Sequence, residues 1–178
     1  MQTRTWFLST AALLAATSTA VAQDYLDLSQ IRGLPAEPAV QVDLNPMVLG
    51  LASAVSRTAN PPAADLLASV DGIRVRVYAS LEDPDVVLRS IGEVATRLAE
   101  DGWQQVVRVQ DDGDVRVLMR TDGTSVTGLT AMIVADNEAI FVNLVGSLTP
   151  EQFAQFLEST GAADALASLG QLSFPRAP

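Results

Sequence analysis

Residues 103–145 read WQQVVRVQDDGDVRVLMRTDGTSVTGLTAMIVADNEAIFVNLV, and this run decides the fold. Residues 103–110, rich in valine and ending at an Asp-Gly turn, predict a strand from Trp103 to Gln110. Asp111-Asp112-Gly113-Asp114 predicts a tight turn, and Val115 to Arg120 the next strand. Asp122-Gly123 is the dipeptide that two-residue hairpins favour. Val126 to Ala135 and Ala139 to Val145 follow as two further strands, joined at Asp136-Asn137-Glu138. Both are apolar on both faces, so they are expected in the middle of the sheet. Four consecutive strands with short turns make an antiparallel meander.

Working outward, Gly102 is a left-handed stop for a helix that Asp83-Pro84 opens. Val87, Ile91, Val94 and Leu98 form its inward stripe. Arg89, Glu93 and Arg97 line a solvated face at four-residue spacing. Before it, Ile73, Val75 and Val77 alternate with Arg74, Arg76 and Tyr78 in a half-buried strand that follows a turn at Asp71-Gly72. Asn45-Pro46 caps a helix with Met47, Val48, Leu51, Ala52 and Val55 at helical spacing. Asn60-Pro61-Pro62 breaks it, and a shorter helix is expected over Ala63 to Ser69. Val40, Val42 and Leu44 form a first strand. On the far side, Leu148-Thr149-Pro150-Glu151-Gln152-Phe153 is a dense helix start, with a capping box from Thr149 to Gln152 and a staple from Leu148 to Phe153. The order β-α-α-β-α-β-β-β-β-α predicts an α+β fold: an antiparallel sheet of about five to six strands with helices packed on one face.

Met1 to Ala22 reads as a secretory signal peptide. Arg4 lies in the n-region, an apolar core follows, and Ala20-Val21-Ala22 is a small-residue cleavage site. Cleavage is expected between Ala22 and Gln23, and the protein is expected in the periplasm or outside the cell. Removing 22 residues from 178 leaves 156, one domain with room for its own core. Residues 23–39 are an extended or loosely docked leader ending at Pro35 and Pro38. Residues 40–160 are the domain and 161–178 a tail.

Loss of Arg4 takes the net charge from −10 to about −11. An acidic chain is repelled by phosphate, so nucleic acid is not an expected partner. The chain has no Cys, no His and no Lys. That removes disulfides, a lipidated cysteine anchor, an imidazole base and Schiff-base chemistry. Any catalysis would fall to Asp, Glu, Ser, Thr, Tyr or Arg. No cofactor and no metal is expected.

Five arginines on three strands are the most unusual pattern. Arg74 and Arg76 share a face; so do Arg116 and Arg120; Arg108 lies on the Trp103 strand. If register aligns them, a water-facing sheet surface becomes a cationic patch for an acidic envelope protein or an anionic glycan. Cross-strand pairing with Asp and Glu, together with edge protection, is the plainer account of the same residues. Asp111 to Asp114 lacks EF-hand spacing, so a turn explains it better than calcium. Glu82, Asp83, Asp85, Asp136 and Glu138 sit at helix starts and turns, where capping accounts for them without catalysis. Asn143 is expected to bond neighbouring backbone, and Trp103 to pack in the core or its rim.

The chain also resembles a known family. Val40 to Met47, Leu66-Leu67 leading to Gly72–Tyr78, Gly102-Trp103 with Val107-Arg108-Val109, Gly128-Leu129-Thr130 with Ile133-Val134, Val142–Gly146 and Leu148–Phe153 together resemble the DUF4252 family of small exported bacterial proteins of unknown function. The resemblance runs from about Val40 to Leu157. Many members are lipoproteins; this sequence lacks the cysteine, so no stable membrane anchor is expected. The resemblance implies fold and location and transfers no catalytic residue. The expected function is an exported, non-catalytic binding module. The alternatives are a carboxylate-based hydrolase and a periplasmic regulatory or stress component.

Overall fold

The computed structural model describes residues 25–110 and 113–159. The expected signal peptide and tail lie outside these. The elements are β1 (Val40–Leu44), α1 (Pro46–Ser56), α2 (Pro61–Ala68), β2 (Val70–Ala79), α3 (Pro84–Glu100), β3 (Gln104–Gln110), β4 (Gly113–Asp122), β5 (Ser125–Ala135), β6 (Glu138–Leu148) and α4 (Pro150–Ser159). All six strands join one sheet in the order β1-β2-β6-β5-β4-β3, and every pairing is antiparallel. The meander supplies four adjacent strands of it, β6-β5-β4-β3. β2 returns beside β6, so β5 and β6 are central, as their two apolar faces predict.

The caps form from local chemistry. Asn45 Oδ1 accepts from Val48 N at 3.0 Å, and Asp83 Oδ1 accepts from Val86 N at 3.1 Å. Each proline behind them fills a position whose N–H would have no partner. At α4, Gln152 N donates to Thr149 Oγ1 and Thr149 N donates to Gln152 Oε1, the reciprocal capping box. Asn60-Pro61-Pro62 separates α1 from a shorter α2 as expected, but the second helix begins two residues earlier, at Pro61. Asn60 Oδ1 accepts from Ala63 N, and Pro61 is the first residue of α2. The segment starts a helix by the same Asn-Pro device used at α1. Asp71-Gly72 also lies inside β2, at a bulge opposite β6, rather than in a turn before it.

Both sheet faces carry helices. On one, α3 sets Val87, Ile91, Val94 and Ala95 against Tyr78, Leu118, Met132 and Phe141. On the other, Leu49 of α1, Leu66 of α2 and Phe153 of α4 gather around Leu129, Leu144 and Leu148. Helices were expected on one face; the chain needs two because β5 and β6 present apolar residues to both. The leader is not loose. Ile31 is 4 % exposed, and Leu26, Leu28 and Leu34 pack with it against the α3 core. A short 3-10 helix, Leu28–Gln30, lets this strap turn over the sheet. Glu93, expected to pair along α3, takes Arg32 of the strap at 2.6 Å instead.

Candidate functional site

Register places all five predicted arginines on one face. Asp43, Arg74, Asn143 and Thr130 stand in one cross-strand row. Gln41, Arg76, Phe141, Met132, Arg116 and Arg108 form the next. Arg120 lies on the same face, opposite Gly128. The expectation that this face lies open to water is corrected. It is the face that α3 and the strap cover, because α3 needs the apolar residues interleaved with the arginines.

The arginines are correspondingly engaged. Arg116, 8 % exposed, grips Asp114, 3 % exposed, through Nε and Nη2 at 2.7 Å each. Gln110 Nε2 donates to the same carboxylate at 3.0 Å. Arg76 donates through Nη2 to both oxygens of Asp43, and through Nη1 to the carbonyls of Val42 and Val75. Its hydrogen bonds, with a second from Gln41, hold the Asp43 carboxyl below its ordinary value. Arg74 lies 3.7 Å over the ring of Tyr25 in the strap, a cation–π contact, and 3.7 Å from Asp43. Arg108 is exposed on edge strand β3, directly across from Arg116. Arg120 lines a cleft beside α3. Of the turn considered for calcium, Asp114 points inward to Arg116; Asp111 and Asp112 lie outside the described residues.

The opposite face is aliphatic. Val42, Val75, Val142, Ala131, Val117 and Val107 form one unbroken six-strand row. Val40, Val77, Ile140, Ile133, Val115 and Val109 form the next. None of these twelve is buried, and of them only Val117 packs against either core cluster. Val40 is 48 % exposed. Helices α1, α2 and α4 gather over the third row, at Leu44, Ile73, Leu144, Leu129 and Met119, and the sheet end beyond it, and their cluster reaches into the plate at Val117 alone. The plate measures about 29 Å across six strands and about 14 Å along them, roughly 400 Å².

A family model described as a domain of unknown function, DUF4252, matches residues 36–156. The chain belongs to the DUF4252 family. No curated protein matches it. The matched span holds all six strands, all five arginines and the whole plate. The strap from Tyr25 to Pro35 precedes it.

Two clefts of about 430 Å³ each flank that strap on the arginine face of the DUF4252 domain. One is lined by Arg74, Arg76, Tyr78 and Asn143. The other is lined by Arg97, Arg120, Trp103 and Thr130, with Asp27 and Asp101 at its margin. Asp27 is committed: it accepts from Ser29 N, Ser29 Oγ and Gln30 Nε2, which hold its carboxyl low. Asn143 Oδ1 accepts from Leu26 N at 3.1 Å and from Thr130 Oγ1 at 2.8 Å, so it bonds backbone as expected, but that of the strap. Glu82, Asp83, Asp85, Asp136 and Glu138 are exposed, and they line neither of the strap clefts nor the cleft beside Leu88. Among the described residues no helix is long and apolar enough to cross a membrane.

Sequence reasoning missed the plate. Its signal is visible on the three arginine-bearing strands as the valines beside the arginines: Val75 and Val77 on β2, Val107 and Val109 on β3, Val115 and Val117 on β4. Period-2 alternation names two faces without saying which one a helix will cover.

Proposed function

We propose that this DUF4252 protein is an exported, non-catalytic interaction domain whose contact surface is the aliphatic plate. One observation carries the reading: a roughly 400 Å² apolar sheet surface with no charged side chain, in a chain of net charge −10. The largest apolar patch of a soluble protein is typically about 300–600 Å² and is often where it makes contact. The clefts argue the same way. Arg74 and Arg76 hold Tyr25 and Asp43 in place, Arg97 bonds Gln30 of the strap, and Asp27 serves as a cap, so these polar groups act on the fold.

Two measurements test this. N-terminal sequencing of protein recovered from the envelope is expected to begin at Gln23; an intact Met1 overturns export. In producing cells, a cysteine placed at Ala131, in the middle of the plate, is expected to resist a permeant maleimide. Full labelling in the cell overturns the contact surface.

A further inference from the structure

We infer that the occupant of the plate is a second copy of this chain, stacked sheet to sheet about a two-fold axis. This deepens the contact-surface reading and rests on it. The plate is self-complementary in the simplest way. Twelve aliphatic positions carry no charge and no hydrogen-bonding side chain. A two-fold contact therefore brings no like charges together, although each copy is strongly acidic.

The shape of the molecule also fits. Helices α1, α2 and α4 rise from one end of this face and stop short of the two outer rows. They leave a step. A packed helix and a packed sheet each stand about 10 Å above the sheet beneath, so a second sheet fits the step at the level of the helices. Only one axis direction works. A two-fold along the strands would drive the helical shoulders into each other. A two-fold across the strands, between the two rows, sends the shoulders to opposite ends. Central strands then lie over their own counterparts, and the Val42–Val107 row meets the Val40–Val109 row of the other copy.

Two such plates withdraw on the order of 800 Å² together, below the usual size of a permanent interface. The dimer is therefore concentration-dependent. The plate lies wholly within the matched span, 36–156, and residues 160–178 lie outside it.

The chain has no cysteine, so single thiols report without background. Ala131→Cys and Val107→Cys place them in the plate, and Ala99→Cys places one on the exposed side of α3. The purified protein is treated with a short bismaleimide across a dilution series and followed by sedimentation velocity. The expected result is a product of twice the chain mass for both plate variants, lost on dilution, and none for Ala99→Cys. Two sites keep the test decisive if one variant folds poorly. A monomer at every concentration with freely labelled plate thiols overturns the second copy. If those thiols are nonetheless protected in cells and cross-link to a species of another mass, the contact-surface reading survives. A monomer whose thiols are protected, and become open when the chain is ended at Ser159, assigns the plate to residues 160–178 and overturns both.

Discussion

Removing the Asp114 carboxylate is expected to be among the costliest single changes on the arginine face. Arg116 and Asp114 are both nearly buried, and their two parallel bonds of 2.7 Å leave the guanidinium fork satisfied on one side. Asp114→Ala strands that cation against α3, where Gly92 was its neighbour, and directly across from Arg108. Breaking a buried pair costs about 3–5 kcal/mol, whereas an exposed pair contributes about 0–1 kcal/mol. A shallow cleft reaches this pair beside Leu88 and Arg89, so some water can enter and the lower end applies, about 3 kcal/mol. For a domain of this size that is a fall of about 6–12 °C in melting temperature. Urea unfolding followed by circular dichroism measures it directly. Arg116→Met leaves the converse orphan, a buried carboxylate, and is expected to cost as much. The double variant removes both charges and is expected to recover most of the loss, so the coupling between the two positions exceeds about 2 kcal/mol. A loss under about 1 kcal/mol for Asp114→Ala, or a double variant whose loss is the sum of the two singles, refutes the buried-pair account.

Three other changes probe other parts of the fold. Gly128→Ala puts a methyl 2.7 Å from the buried ring of Trp103, so overpacking of about 1–3 kcal/mol is expected, reported by the fluorescence of that tryptophan. Asn143→Leu deprives Leu26 N of its acceptor and leaves the Thr130 hydroxyl the longer bond to the Val142 carbonyl. A loss of about 1–3 kcal/mol and earlier proteolysis within residues 25–34 are expected; unchanged cleavage means the strap is held elsewhere. Asp43 has a folded-state carboxyl pKa below its ordinary 3.8, so its contribution is full above 3.8 and lost as pH falls through the folded value. Asp43→Asn should therefore differ from the parent at neutral pH and converge with it in acid. A gap that stays constant down the acid limb rules out this linkage.

The parts legible in the sequence are those set by neighbours along the chain. Asn45-Pro46, Asp83-Pro84 and Thr149-Pro150 start helices because an oxygen three residues back reaches a free N–H. The meander from Gln104 to Leu148 is visible because its turns and its period of two agree. Asn60-Pro61 shows the limit: the same signature reads as a breaker when another helix ends only a few residues before it. Faces are harder. Alternation correctly puts Arg74, Arg76, Arg108, Arg116 and Arg120 together. It does not reveal that Val87, Ile91 and Val94 settle on that same side. Tyr78, Leu118, Met132 and Phe141 decide the matter, and they come from four different strands. The strap fails for the same reason: Leu26 and Ile31 find partners more than fifty residues away, and only the folded sheet supplies them.

The sheet inverts the ordinary arrangement. A half-covered antiparallel sheet usually turns its charges to water and its aliphatic residues to the helices. Here the charged rows lie beneath a helix and a strap, and valine and isoleucine rows face outward. Both choices carry a cost. Arg116 and Asp114 must be desolvated to sit under α3, and a bare aliphatic plate invites nonspecific association. The second cost is not needed to build the fold, since a plate bearing Thr would keep β-propensity and gain solubility. The high negative charge keeps separate molecules dispersed through the rest of the surface. The uncharged plate, with the exposed Met47, Leu51 and Val55 of α1 above its end, gathers attraction on one side of such a molecule and leaves repulsion over the charged remainder. That distribution selects a single, saturable contact over open-ended aggregation, which is the physical case for an occupied plate.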